Sequence, residues 1–558
     1  MMGATRISFG PWHDLPETLS ENEATFMDGR EGGFATIFTK DFSTVWTSLS
    51  EPMSQYIQIL TDPITNQQTM SFGTMGGVKH IPAGHITRTV LVGGDGIKEG
   101  IENWGEFFRK FHEKSSAKRD AFLEMRYLGY YTDAGAYYYY NTEPGLNYEE
   151  TFDYIRKYAD ETSFPIRFAQ YDSWFYPHGE GNGLLEWEIR TDDGYFPNGG
   201  EAAYANHNVP IVAHNRWFGP DAVYAKENGG DYDWVLEDNR KRDKMQDFPF
   251  YLCYSNHGKR VDLPIGPPGS GVGPYSFPND TSFWPDFLAN RRQWGLKTYE
   301  QDWMDVQINR MNATQQDLAL GRDNWRQMDW AAELKYLDIQ YCLTLPRFVL
   351  FSTELDNVSH ARGSPDYAYN FLQWNIGFQS LWGEAAGLAV LKDTFHSVHV
   401  QPEVEADGDV PGDIFNEHFP DLHAAVSTFS SGPVVPGDRI GFEDRLLIDK
   451  SINSDGLILR LGNSMKPINS EMQRKARNDW DGPASQEPGE NLHIFGNRFG
   501  AQIWSAKSTF GKFEGSAVLY ASLLEEYETN AEDLEMDSER NGLKLKGIQG
   551  RKFRTIYI

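Results

Sequence analysis

Along the first hundred residues, apolar and polar positions alternate in short runs. The stretches 33–38, 56–60 and 86–92 are β-like and separated by turns. Their spacing predicts a β-rich, sandwich-type region that reaches, with its linker, to about residue 120. Between residues 97 and 118 the apolar spacing becomes helical. Trp104, Phe107, Phe108 and Phe111 share one stripe, which predicts a linker helix packed on a core. From 121 to 400, strand-like runs alternate with helical stretches, the rhythm of a parallel sheet. The runs cover 126–133, 166–172, 209–214, 296–305, 339–345, 348–352 and 386–391. Polar residues close run after run, and no Gly-x-Gly-x-x-Gly opens the first unit. An α/β fold of the (β/α)₈ TIM-barrel type is therefore expected, with a doubly wound sheet as the alternative.

Beyond residue 400 an acidic Pro/Gly segment, 401–413, leads into alternating runs at 457–461 and 516–520, with a last strand at 555–558. These predict a C-terminal antiparallel β-sandwich over 401–558. The Gly-, Pro-, Asp- and Asn-rich stretch 221–292, with Pro267-Pro268-Gly269-Ser270-Gly271, reads as a long loop over a cleft.

Composition narrows the partners. Against 51 basic residues stand 80 acidic ones, and the net charge of −29 repels phosphate backbones and anionic lipid. Nucleic acid and membrane surfaces are accordingly not expected as partners. No window approaches twenty apolar residues, and no basic-then-apolar leader is visible at the N-terminus, as would also hold for a chain whose leader had been removed. Asn279, Asn312 and Asn357 each begin an N-x-S/T sequon, a number expected by chance, so the compartment stays open, with a secreted or lysosome-like location as one reading. Homo-oligomerisation is equally open. Two cysteines, Cys253 and Cys342, are too few for a disulfide framework or a cysteine metal site. The 16 Trp and 28 Tyr exceed what a core of this size needs, and the excess suits either a carbohydrate cleft or a large α/β core.

The candidate chemistry starts at Leu296 to Asp305. An apolar start, a Thr-Tyr pair and an acidic end describe a buried strand whose last residues emerge at the active edge of a barrel. Asp302, walled by Trp303, is there either a nucleophile or a helix cap. A second stretch, Asn357 to Tyr367, carries Arg362 and Asp366 around a Gly-Ser-Pro turn. That pair is either a surface ion pair or a substrate brace beside a working carboxyl. Two carboxylates from different strand ends are what glycosyl transfer uses, at roughly 5 to 5.5 Å apart in the retaining geometry. Burial and the partner's charge would keep the proton donor protonated. His207, His214 and His360 lack metal-ligand spacing, so no metal is expected. Tyr137 to Tyr140 read as packing beneath a loop.

Taken in order, Tyr299 to Trp303, Ser359-His360-Ala361-Arg362-Gly363-Ser364-Pro365-Asp366-Tyr367, Trp382-Gly383-Glu384 and Leu391-Lys392-Asp393-Thr394-Phe395 resemble the α-galactosidase and raffinose-synthase branch of the clan D glycoside hydrolases. The resemblance spans roughly residues 80 to 460. It implies a retaining α-glycosidase acting on an oligosaccharide or glycoside, with no metal or organic cofactor. Asp302 would be the nucleophile, Asp366 the acid/base and Arg362 the brace. Asp133 and Asp172 would bind sugar hydroxyls, with Trp174 and Trp217 as walls. The chain departs from the pattern at two places. Glu300 stands where the family usually has a sugar-contacting Lys, and a carboxylate accepts hydrogen bonds where an ammonium donates them. Pro365 stands where raffinose-synthase-like chains tend to carry the first of two acids. A transglycosylase and a non-catalytic carbohydrate-binding protein are the alternative functions.

Overall fold

The computed structural model describes residues 25–26, 33–38, 42–61, 65, 68–237, 275–308, 311–342, 344, 346–364, 366–367, 376–402, 417, 420–460, 464, 466, 469 and four short strands beyond 490. Its centre is a seven-stranded sheet. The strands are β1 (Gly129–Tyr130), β2 (Phe168–Tyr171), β3 (Ile211–Asn215), β4 (Leu296–Gln301), β5 (Asp338–Tyr341), β6 (Val358–Arg362) and β7 (Ala389–Leu391). They lie side by side in chain order, and every pair is parallel. A doubly wound sheet would reverse its order at a switch point, so sequential order excludes that alternative. Parallel neighbours need crossovers, and helices supply them, among them α2 (Tyr148–Thr162) between β1 and β2, α3 (Gly200–His207) between β2 and β3, and α4 (Leu320–Lys335) between β4 and β5.

The two outer strands are joined through a segment late in the chain. Ser431 bridges Val390 and Pro436 bridges Phe395, both in parallel. From the other side the amides of Gly129 and Tyr131 donate to the carbonyls of Val434 and Pro436 at 3.1 and 3.2 Å. Residues 431–437 thus stand between β7 and β1, past residue 400, and the curled sheet is TIM-like in its α/β architecture.

Local chemistry explains the main elements. Asn147 and Glu150 form a reciprocal capping box at the start of α2, and Phe152, Ile155 and Ala159 face the sheet. The linker helix α1 (Ile97–Phe111) buries Ile97, Ile101, Trp104 and Phe108, while Phe111 at the end of the expected stripe is 54% exposed. Just past α1, the Lys114 ammonium donates to the carbonyls of Ser352, Leu355 and Val358 at 2.7, 2.7 and 3.1 Å.

Two expectations inside the barrel are corrected. The run 348–352 is part of a helix, α5 (Pro346–Ser352), in which every residue is buried. A proline-led apolar run buried all round carries no strand signal of its own, and periodicity cannot tell it from a buried strand. Conversely, Val358–Arg362, which is not among the expected strand-like runs, is β6. Its polar residues find partners inside the sheet: Ser359 donates to Asp338 at 2.8 Å, and the His360 ring contacts Gln340 at 2.7 Å.

N-terminal to the barrel lie a four-stranded antiparallel sheet (Thr25–Phe26, Phe34–Phe38, Ser43–Ser48, Thr89–Gly94) and a hairpin (Gln55–Thr61 with Gln68–Thr74). Phe34 stacks at 3.6 Å on Trp382 of α6 (Ile376–Ala385), tying that sheet to the barrel. Beyond residue 490, Leu492–Phe495 pairs with Leu519–Ser522, and Leu534–Asp537 with Gly542–Leu545. The Pro267 to Gly271 part of the expected cleft loop, the acidic stretch from 403 to 413 and the strand at 555–558 lie outside the described residues. Among the described residues, no helix is long and apolar enough to cross a membrane.

Candidate active site

Asp302 continues the β4 ladder by one bond, its amide donating to the Asn215 carbonyl at 2.8 Å. Trp303 then turns the chain with φ of 53°, a left-handed conformation that a non-glycine residue adopts only where its surroundings demand it. The turn leaves the Asp302 carboxyl at the strand's C-terminal end. Oδ1 accepts the Trp303 amide at 2.7 Å, and Oδ2 lies 3.1 Å from His214 Nε2, at the end of β3. His214 Nδ1 is 2.8 Å from the Tyr176 hydroxyl, which in turn accepts from Arg216 Nε at 3.1 Å.

These contacts set the charges. Burial alone would pull the His214 ring down. The charge of Asp172, the hydrogen bond and charge of Asp302, and the charge of Glu300 outweigh it and raise His214 to about 9. Burial pushes the Asp302 carboxyl up, but the His214 hydrogen bond and charge, with Arg362, hold it below the usual carboxylate range. The pair is therefore an imidazolium beside a carboxylate.

Arg362, the last residue of β6, faces Asp302 electrostatically and binds three other acids. Nη2 donates to Asp366 at 2.6 Å, Nη1 donates to Asp133 at 3.2 Å, and Asp393 lies 3.8 Å from Nη1. Asp366 is pushed up to about 6, first by burial and then by the charges of Asp133 and Asp302 against the opposing pull of Arg362. Neighbouring acids thus have opposite proton affinities, which is the arrangement acid/base chemistry needs.

Beneath them, Asp133 follows β1 and Asp172 follows β2. Gln170 Nε2 donates to Glu300 Oε2 at 2.7 Å and reaches Asp133 at 3.5 Å. Asp172 Oδ1 accepts the Ser173 amide at 2.5 Å. Burial, then Asp133 and Asp172 against the pull of His214, raise Glu300 to about 8; burial and Asp133, against His214, raise Asp172 to about 7.

Sequence had named Asp133, Asp172, Glu300, Asp302, Arg362 and Asp366, and these polar residues are linked by hydrogen bonds or by charge around one end of the sheet. The tryptophans differ. Trp303 is half-buried and meets buried Trp217 edge-on at 5.3 Å. Trp174 is fully buried, one face is covered by Tyr148 at 3.7 Å, and its Nε1 donates to Thr132 at 3.0 Å. It also borders an outer cavity of about 840 Å³, together with Tyr140, Tyr176 and His178. His207 and His360 are core residues: the His207 ring contacts the Tyr171 hydroxyl at 3.1 Å, and His360 meets Ser359 at 2.7 Å.

Sequence reasoning missed His214, Tyr176, Gln170 and Asp393. Metal-ligand spacing gives His214 no role, but its place at the end of the strand-like run 209–214 is a usable signal. Nothing local marks Gln170, a polar residue inside an otherwise apolar strand.

No family model matches the chain, and no curated protein matches it. Solved structures similar to it include the galactosidase domain of an α-galactosidase–sucrose kinase, at 11% identity and a TM-score of 0.44, covering 99% of this chain and 72% of that one. A β-L-arabinopyranosidase from Geobacillus stearothermophilus is 10% identical, with a TM-score of 0.39, over 78% of this chain and 97% of that one. An α-N-acetylgalactosaminidase from Bifidobacterium bifidum is 10% identical, with a TM-score of 0.39, over 88% and 72%. These are clan D glycoside hydrolases, the group the sequence motifs resemble, and the likeness concerns the course of the backbone.

Proposed function

We propose that the protein is a glycosidase working by double displacement. One observation carries this: Asp302 is held ionised by His214 while Asp366, joined to Asp133 through Arg362, is held protonated up to about 6. In the first step an Asp302 oxygen bonds to the anomeric carbon as the glycosidic bond breaks, and Asp366 gives its proton to the leaving oxygen. In the second step Asp366 takes a proton from water, whose oxygen displaces Asp302 and releases the sugar. The motif resemblance narrows the reading to terminal α-linked sugars of the α-galactoside type. In it, Asp133, Asp172 and Glu300 orient hydroxyls, Arg362 braces the acid/base, and Trp303, Trp217 and Trp174 give the pocket its apolar walls. The catalytic unit in this reading is the barrel, extended past 400 to include residues 431–437, with the N- and C-terminal β regions as flanking sandwiches.

A screen of aryl α-glycosides tests the class and the sugar together. Turnover of an α-galactoside is expected, and Asp302→Ala should abolish it while leaving the melting curve in place. Near-normal turnover in that variant would falsify the assignment, and sugar binding without turnover in the parent chain would favour a binding protein.

A further inference from the structure

Asp366 sits between two anchors. Before it, the Gly363 amide donates to the Leu391 carbonyl at 2.9 Å, and Ser364 Oγ accepts from the Asp393 amide at 3.1 Å. After it, the Tyr367 amide donates to Asp393 Oδ2 at 2.6 Å. Asp393 in turn lies 3.8 Å from Arg362, whose guanidinium donates to Asp366 at 2.6 Å. The backbone and the side chain of this turn therefore share one buried neighbour.

The far end of Tyr367 is held as well. Its hydroxyl donates to Glu417 Oε2 at 2.6 Å, and His423 Nε2 lies 3.1 Å from the same oxygen. Tyr367, Glu417 and His423 are 2%, 1% and 0% exposed. Glu417 is itself fixed through its backbone: its amide donates to the His399 carbonyl at 2.9 Å, and its carbonyl contacts His399 Nδ1 at 2.9 Å. The Tyr367 ring meets His396 and His423 edge-on at 5.1 and 5.3 Å, which leaves it little room to swing. A buried carboxyl is costly unless hydrogen bonds satisfy it, and one bond of Glu417 goes to the residue next to Asp366.

A proton donor tolerates little slack, because a misplacement of about 1 Å can cost about a hundredfold in rate. We propose that Glu417, acting through the Tyr367 hydroxyl, is a positioning residue for Asp366: it locks the turn that sets the Asp366 carboxyl against Arg362. The inference rests on the double-displacement reading and extends it to a residue 50 positions beyond the tyrosine, past the expected end of the barrel. Asp366 faces Arg362, Asp133, Asp302 and Asp393, and of these four only Arg362 favours its ionised form. Loosening the turn weakens the Arg362 contact, so Asp366 keeps its proton to higher pH and the basic limb of kcat/KM moves up with it.

Tyr367→Phe removes the hydroxyl alone and leaves Lys392, His396, His423 and Asp438, which face Tyr367, in place. On an α-galactoside with a sugar leaving group its kcat/KM should fall about tenfold, and on an activated aryl α-galactoside less than about threefold, with the basic limb at higher pH in both. Glu417→Ala should behave in the same way, the double variant should be no worse than either single one, and Glu417→Gln, which keeps an acceptor for the hydroxyl, should recover most of the loss. If Glu417→Ala lacks a native circular dichroism spectrum, Tyr367→Phe alone decides. A lowered Tm in Tyr367→Phe with an unmoved limb and equal losses on both substrates would make the contact mere packing and overturn the proposal. A second readout needs no sugar. Asp366, whose side chain is 28% exposed, is labelled with a water-soluble carbodiimide, which requires the protonated carboxyl, and the extent is followed against pH by peptide mass spectrometry. The midpoint should rise in Tyr367→Phe. An unmoved midpoint overturns the positioning role, whereas a raised midpoint in a chain that turns over no glycoside supports it and refutes only the glycosidase reading.

Discussion

Replacing His214 tests the core of the site in two graded steps. In the parent, His214 donates a charge-assisted hydrogen bond to Asp302 at 3.1 Å, and both residues are buried. Such a bond contributes about 1.5–3 kcal/mol, against about 0.5–1.5 for a neutral one. His214→Gln keeps a donor but removes the charge, a loss of roughly 1–1.5 kcal/mol, or about 5- to 13-fold in kcat/KM. His214→Ala removes bond and charge together, roughly 1.5–3 kcal/mol, or about 10- to 150-fold. The sign of the pH effect follows from the same contact. Without the imidazolium the Asp302 carboxyl holds its proton more tightly, so the acid limb of kcat/KM moves to higher pH in both variants. The assay is the pH–rate profile of aryl α-glycoside hydrolysis, with melting curves as a control for folding. If both variants stay within about threefold of the parent and keep its acid limb, His214 does not tune Asp302 and the electrostatic reasoning fails.

Asp366 makes a complementary prediction. It must carry a proton to act as acid, and it is held up to about 6, so kcat/KM should fall as pH rises through that value. Asp366→Asn should flatten this basic limb and cost about 10²- to 10⁴-fold on sugars with poor leaving groups, far less on activated aryl glycosides; equal losses on both would argue against proton donation. The Lys114 anchor concerns stability alone. Lys114→Met leaves three buried carbonyls without their donor, at about 1 kcal/mol net each, so urea unfolding should show a loss of about 3 kcal/mol; a change under about 1 kcal/mol would mean water or backbone takes over.

How far the sequence reached depends on where each residue's information lies. Runs ending in acids located β1, β2 and β4 and the carboxyls just past them, because an apolar strand with a polar end is a local pattern. The run Val358–Arg362 hid because its polar side chains bond sideways to Asp338 and Gln340, contacts that no local pattern encodes. Residues 348–352 misled for the opposite reason: a wholly buried helix looks like a wholly buried strand. His214 was visible as a residue but not as a partner of Asp302, from which it is separated by 88 positions. The Asp133 and Glu300 side chains both bond to Gln170, and only folding brings those three together.

Because residues 431–437 sit between the last and first strands of the sheet, ring formation waits for the arrival of a stretch some three hundred residues downstream of β1. A fragment ending at residue 400 would hold every acid of the candidate active site, yet it would expose two raw backbone margins, along Ala389–Leu391 and Gly129–Tyr130, inviting sheet-to-sheet association between copies. A piece that keeps both margins covered therefore runs at least through Gly437, however complete its chemistry looks before that point.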